Sequence, residues 1–168
     1  AELSGQSKID EIEDVLQRLL KTNGAKVFII RFVHGGTDFV KPTLITHENV
    51  CLLDRLLDLA PLHNVQSLKC VNLLLRRAGT PNVIAVFDTE FFHDLPQVAQ
   101  LYGLPKFLRD KYQIRRYGFH GFAHAAMKRT WEKLHGRNQQ SSANYRLVTI
   151  QLGSGCSMAA IKDGQAID

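Results

Sequence analysis

The sequence predicts an α/β domain with a largely three-layer build, and three observations predict it. Two short apolar runs rich in β-branched and aromatic residues, VFIIRFV (27–33) and NVIAVFDT (82–89), read as strands. Longer stretches with apolar residues at helical spacing lie before, between and after them. The final RLVTIQLGSGCSMAAIKDGQAID reads as strand, glycine turn, strand, Asp-Gly turn and a third strand. Alternation of this kind is what an α/β fold requires.

Taken in order, Ile9, Ile12, Val15, Leu16, Leu19 and Leu20 form one stripe of a helix over Ser7 to Lys21, acidic early and basic late, with Gly24 as its C-terminal cap. VFIIRFV follows as a buried strand and ends in His34-Gly35-Gly36, where two glycines let the backbone approach something closely. His47 to Ala60 reads as a helix closed by Pro61, and a further helix runs from Asn64 to Gly79. After the strand ending at Asp88-Thr89, the stretch from Phe91 to Lys111 is broken by Pro96 and Pro105 into short helical pieces and loops. A helix starts at about His120. There are no internal repeats and no low-complexity linker.

Composition narrows the function classes. The 168 residues are 45% hydrophobic and 22% charged, enough for a core and unlike a disordered chain. The formal charge of +5 favours anionic ligands, yet the basic residues are dispersed and no motif asks for nucleic acid. Cys51, Cys70 and Cys156 are far apart and form no CxxC pair, which fits a reduced, cytoplasmic setting better than a disulfide framework. The opening residues lack the basic and apolar regions of a signal peptide, and no apolar run is long enough to span a bilayer, so no membrane partner is expected.

Polar residues gather just after the apolar runs, where ligands bind in open α/β sheets. They are Arg31 with His34-Gly35-Gly36, Asp88-Thr89, and Gln151 with Gly153-Ser154-Gly155. Arg31 lies within an apolar run, so burial would oblige it to find an anion or a carboxylate. Asp88 suits a base or a metal-water ligand, or simply a turn cap. His63 and His120 can each donate to a phosphoryl oxygen or serve as surface and cap residues. His120 and His124 are one helical turn apart, but HxxxH without the glutamate of HExxH is a weak zinc signal, and a zinc site is rejected. QLGSG matches neither GxGxxG nor a Walker A loop, though such a turn can offer backbone N–H groups to a phosphate.

Five motifs in order then make the residues specific: FVHGG (32–36), LAPLHN (59–64), VFDT (86–89), YQIRRYGFHG (112–121) and the QLGSGCSMAAIKDG hairpin (151–164). The set resembles the acetate kinase family, acyl-phosphate-forming kinases of the actin/hexokinase/Hsp70 superfamily. The resemblance implies a ribonuclease H-like, actin-like ATPase domain, ATP and Mg2+ as cofactors, acetate or another short-chain carboxylate as substrate, and a homodimer when intact. It implies that Arg31 holds the carboxylate or the phosphoryl group, that His63 and His120 surround the phosphoryl group, and that Asp88 positions the carboxylate and assists the metal. Val33, Leu62 and Phe119 match the pocket for the acyl methyl, and Gly153, Ser154 and Gly155 match a phosphate loop facing ATP.

Departures accompany the matches. Gln151 replaces a histidine of the family's HLGNGAS, and a glutamine donates a hydrogen bond without carrying charge. Phe122-Ala123 replaces Thr-Ser after GFHG, His93 is displaced by one place, and Val65 stands where the family prefers proline. The family's N-x-G-S-S-S loop, its second arginine, its magnesium-binding glutamate and its adenosine pocket find no match, so the domain is expected to be incomplete and inactive alone. On this reading residues 1–145 are the acyl-binding part of an N-terminal domain, and residues 146–168 are a phosphate-loop hairpin that starts the nucleotide-binding domain. The expected reaction is ATP plus acetate to ADP plus acetyl phosphate. The alternatives are a propionate or other short-chain carboxylate kinase, and a non-catalytic acyl-kinase-like binding module.

Overall fold

The computed structural model describes residues 11–18, 25–76, 82–135 and 144–168. They fall into two compact units, Ala1–Phe87 and Asp88–Asp168. Residues 11–18 are helical, within the predicted Ser7 to Lys21 stripe; Gly24 and Gly79, the predicted helix ends, lie outside the described residues.

The first unit is built on three strands, β1 (Val27–Phe32), β2 (Thr43–Ile45) and β3 (Asn82–Phe87), in the order β1-β3-β2. β1 runs parallel to β3, with Val27 opposite Asn82 and Phe32 opposite Phe87, and β2 is antiparallel to β3 on its other side. Strand geometry sends alternate side chains to opposite faces. Phe32, Ile45, Val83, Ala85 and Phe87 are buried together with Leu68, Val71, Leu74 and Leu75 of helix α1 (Pro61–Leu75). The parallel pair is joined by a long crossover that contains this helix, as a βαβ unit demands.

The other face of the sheet is less covered, with Ile84 and Val86 of β3 partly buried. Val27, Ile29, Arg31 and Leu44 are exposed, with Ile29 at 66%. β1 is therefore half-buried rather than the fully buried strand its composition suggests. An unbroken apolar run can reflect two faces with different fates, and here one of them carries the exposed Arg31.

The predicted helix over His47 to Ala60 is instead a 3-10 turn at Val50–Leu56, and Pro61 opens α1 rather than closing what precedes it. Proline suits a first helical turn, where its missing N–H would have no partner anyway. Leu53 and Leu56, the buried residues of the turn, are three apart, matching the three-residue repeat of a 3-10 helix. Asparagines tie both ends of the turn. Asn49 accepts the Thr46 N–H (2.8 Å) and donates to the Leu44 carbonyl (2.9 Å), while Asn64 donates to the Leu56 carbonyl (3.1 Å).

The second unit begins with a 3-10 turn, Asp88–Phe92, so Asp88 and Thr89 leave the strand direction that the sequence predicts for them. The short helices α2 (Gln97–Gln100) and α3 (Lys106–Tyr112) follow prolines 96 and 105, as the proline spacing predicts. Helix α4 (Gly121–Leu134) precedes an antiparallel sheet of β4 (Arg146–Leu152), β5 (Cys156–Lys162) and β6 (Gln165–Ala166). Asp163 and Gly164 both have positive φ (51° and 85°), the two-residue turn that Asp-Gly favours. On one face of the β4–β5 hairpin Thr149, Ala159 and Ile161 are buried, while Val148, Ile150 and Met158 lie exposed on the other.

Candidate functional site

The candidate residues divide between the units. In the first, β1 delivers the chain into Val33-His34-Gly35-Gly36, and a buried asparagine fixes that turn. Asn64 is 0% exposed. Its Oδ1 accepts the N–H groups of Val33 (3.1 Å) and His34 (3.4 Å), and its Nδ2 donates to the carbonyls of His34 (2.9 Å) and Leu56 (3.1 Å). One side chain thus joins the end of β1, the start of α1 and the end of the 3-10 turn. Gly35 allows the turn to close, because a Cβ there would lie 2.3 Å from the Phe39 carbonyl oxygen. Gly36 has φ +63°, in the left-handed region where glycine is unstrained.

His34, buried, accepts the Gly36 N–H at Nδ1 (2.9 Å), which places its own proton on Nε2. Arg31 is exposed, so the expectation that burial forces a partner on it does not apply; its carbonyl accepts the Ser67 hydroxyl (2.7 Å), tying β1 to α1. His63 is exposed at the first turn of α1, and Leu62 beside it is 84% exposed. Val33 is partly buried.

In the second unit, the spacing of Gly118-Phe119-His120-Gly121 has a steric cause. A Cβ on Gly118 would meet the Phe92 ring at 2.2 Å, and one on Gly121 would lie 2.0 Å from the Asp88 carbonyl oxygen. The glycines therefore let α4 start directly against the turn that carries buried Asp88. Between them His120 adopts a left-handed conformation (φ 54°), and its Nδ1 stands 2.8 Å from the Ser157 hydroxyl on β5. The opposite edge of the ring faces the glycine hairpin: a Cβ on Gly155 would lie 3.3 Å from Cε1 and 3.5 Å from Nε2.

The hairpin closes with the Gly153 N–H donating to the Gly155 carbonyl (3.0 Å), and Gly153, Ser154 and Gly155 are all exposed. Gln151 is half-buried, opposite Ser157 in the β4–β5 register. His120, Gln151 and the Gly-Ser-Gly turn are thus brought together at one end of the hairpin. Phe119, also in this unit, is 37% exposed.

Behind His120 lies a residue that the sequence suggested only as a poor zinc ligand. His124 is 0% exposed, with Nδ1 at 2.7 Å from the Thr149 hydroxyl and Nε2 at 2.9 Å from that of Ser157. The Phe92 ring packs edge-on against it. Asn64, Thr149 and Ser157 are the structural participants that sequence reading assigned no role.

The family model described as Acetokinase family matches residues 5–168. The chain belongs to that family. The acetate kinase of Dictyoglomus turgidum is 39% identical over 161 residues, 95% of this chain and 38% of the relative. That of Chloroherpeton thalassium is 40% identical over 140 residues, 82% of this chain and 33% of the relative. Among solved structures, Porphyromonas gingivalis acetate kinase matches with a TM-score of 0.83 and 32% identity, covering 95% of this chain and 41% of that one. A propionate kinase from Francisella tularensis matches with a TM-score of 0.83 and 30% identity, over the same shares of the two chains. The mixed α/β fold expected from the motifs is thus the acetokinase fold. The chain spans 33% and 38% of the length of these two curated relatives.

The departures from the family's motifs have definite places in the fold. Phe122 and Ala123 occupy the first turn of α4, directly after His120. His93 is exposed, bonded to the Glu90 carbonyl (2.8 Å) and paired with Asp94 (2.9 Å). Among the described residues, no group of three or more His, Cys, Asp or Glu side chains is placed to enclose a metal ion, and no helix is long and apolar enough to cross a membrane. A magnesium ion held mainly by nucleotide phosphates needs only one or two protein carboxylates; Asp88 is a buried carboxylate of the second unit, 1% exposed.

Burial pushes the imidazoles of His34 and His124 below the usual histidine range, and the neighbouring His120 adds to the effect at His124. The linkage has a definite sign. Below about pH 6.5 the unfolded chain takes up protons that these buried rings refuse, so stability falls as pH drops. Urea unfolding followed at pH 7.5 and 5.0 is expected to show a lower midpoint at pH 5.0. Each ring contributes up to about 1.4 kcal/mol per pH unit until its folded-state pKa is reached. Replacing His34 by glutamine should flatten that dependence; an unchanged slope would remove His34 from the account.

Proposed function

We propose that this chain carries the acyl- and phosphoryl-binding part of an acetate-kinase-like phosphotransferase, converting ATP and acetate to ADP and acetyl phosphate. The observation that supports it best is the approach of the His120 Cε1–Nε2 edge to Gly155, which sets an imidazole beside a glycine turn. An imidazole N–H and exposed backbone donors together suit phosphoryl oxygens.

In the proposed reaction a carboxylate oxygen of acetate attacks the γ-phosphorus in line. The new O–P bond forms as the bond to the bridging oxygen breaks, and ADP leaves with that electron pair. No proton needs to move, so the protein's task is alignment and neutralisation of charge. Arg31 would take the planar carboxylate or the phosphoryl oxygens through its guanidinium, His63 and His120 would donate to the phosphoryl group, and Asp88 would position the acyl substrate. Val33, Leu62 and Phe119 would pack on the acyl methyl, and Gly153, Ser154, Gly155 and Gln151 would face the nucleotide phosphates. Magnesium, when bound with the nucleotide and held through water by Asp88, supplies charge neutralisation. Homodimerisation and a cytoplasmic setting belong to the same proposal, as does the division into an acyl-binding part (1–145) and a nucleotide-binding start (146–168).

The test is acyl-phosphate formation by the polypeptide that carries this chain in its source cells. It is supplied with ATP, magnesium and acetate, propionate or butyrate, with hydroxylamine to trap the product as a hydroxamate. Acetate should support turnover, with propionate separated from it by no more than about 10–200-fold, the reach of one methylene in an apolar pocket. Carboxylate-dependent thermal stabilisation without any hydroxamate would reject the kinase and assign a binding module, the reading that Gln151 favours.

A further inference from the structure

We propose that Ser157, His124 and Thr149 are positioning residues that set which nitrogen of His120 carries its proton, through one continuous hydrogen-bonded relay. The functional meaning of the relay rests on the proposed role of His120 at the phosphoryl group; its existence does not.

The geometry is a chain of four polar groups lying wholly within the second unit. Thr149 Oγ1 is 2.7 Å from His124 Nδ1, His124 Nε2 is 2.9 Å from Ser157 Oγ, and Ser157 Oγ is 2.8 Å from His120 Nδ1. All three contacts are within hydrogen-bond length. β4 supplies Thr149, β5 supplies Ser157, and α4 presents His124 four residues after His120. The inner end is fully enclosed, while the outer end reaches the edge of the exposed glycine turn.

Proton counting couples the two rings. A neutral imidazole has one donor nitrogen and one acceptor, and a hydroxyl has one proton to give. If Thr149 donates to His124 Nδ1, then His124 donates from Nε2 to Ser157, and Ser157 donates to His120 Nδ1. His120 must then carry its proton on Nε2, the nitrogen that faces the hairpin. In the reverse direction His120 donates from Nδ1 to Ser157, Ser157 donates to His124 Nε2, and His124 donates to Thr149. A charged His120, with protons on both nitrogens, makes Ser157 an acceptor and, with the Ser157 proton kept in the relay, requires that reverse order. With the Ser157 proton spent within the relay, the two rings share one tautomer when both are neutral, and charging the outer ring turns the inner one to its Nδ1 form.

This assigns a purpose to polar groups that a merely structural core would not need. Burial of His124 without bonded partners would be costly, and both of its nitrogens are satisfied. Since Gln151 cannot take up a proton's charge, the state of the His120 ring governs how charge is met at this end of the hairpin.

Long-range 1H–15N spectra of the histidine-labelled chain at pH 8.5 test the relay without any turnover. The expected result is one shared tautomer for His120 and His124, protonated at Nε2 as the proposed donation from His120 to the phosphoryl group requires. Ser157→Ala should release His120 into the mixture of tautomers of a free imidazole. Thr149→Val, isosteric and in contact with His124 but not bonded to His120, should also shift the His120 nitrogens, and backbone spectra report whether each variant is folded. Opposite tautomers for the two rings in the unsubstituted chain would overturn the proposal, as would a His120 spectrum unmoved in folded Thr149→Val. Titration with inorganic phosphate separates the two readings. A relay that behaves as described while phosphate leaves His120 Nε2 unperturbed would sink the phosphoryl role and leave the relay standing.

Discussion

Replacing Asn64 by alanine is expected to lower the stability of the first unit by about 3–5 kcal/mol, a large part of what a domain of this size possesses. The side chain is fully buried and makes four hydrogen bonds to backbone groups at two separate places in the chain, Val33-His34 and Leu56. Truncation leaves two N–H donors and two carbonyl acceptors without that partner, each at about 1–3 kcal/mol where water cannot reach it. The sum is an upper bound because neighbouring backbone shifts and water entry recover part of it. Asn64→Leu separates the causes, since leucine fills a similar volume and bonds to nothing. Its urea midpoint should lie close to that of Asn64→Ala. Recovery of most of the loss by leucine would mean that packing, not hydrogen bonding, holds the His34-Gly35-Gly36 turn.

The same residue shows where sequence reading stops. LAPLHN drew attention to His63, the titratable group, yet His63 is exposed and Asn64 joins the elements. The four partners of Asn64 lie 8 to 31 positions away in the chain, so nothing local marks it. Thr149 and Ser157 are equally ordinary strand residues until the fold brings them to His124, 25 and 33 positions distant. Residues legible beforehand were those whose requirement is local. The Asp163-Gly164 turn needs positive φ at both positions, and the paired glycines around His120 belong to a recognisable motif. Periodicity misled between His47 and Ala60 because Leu53 and Leu56 satisfy a three-residue repeat as well as a helical one, and Pro61 marks a start as readily as a stop.

Gly121→Ala should destabilise the second unit, for a reason opposite to the usual rule. Alanine is ordinarily favoured over glycine in a helix by about 1 kcal/mol. Here the added methyl would sit 2.0 Å from the Asp88 carbonyl oxygen and 2.9 Å from the Phe91 Cβ, far inside contact distance. Backbone stands on both sides of the clash, so no side-chain rotation relieves it; α4 must back away from the Asp88–Phe92 turn. With overpacking at the upper end of its usual range of about 1–3 kcal/mol and the propensity gain of about 1 kcal/mol set against it, the expected net loss is about 2 kcal/mol. Gly103→Ala is the control, because a Cβ there meets nothing within 4 Å. It should leave the urea midpoint unchanged or raise it slightly, by up to about 1 kcal/mol of stability. The functional consequence is larger than the energetic one, since His120 is the residue immediately before Gly121 and moves with the start of the helix. A displacement on the order of 1 Å at a positioned group costs about 100-fold in rate. On the proposed function, turnover by the intact protein should therefore fall even where Gly121→Ala remains folded, and retention of full activity in a folded Gly121→Ala would detach the helix start from the chemistry proposed for His120.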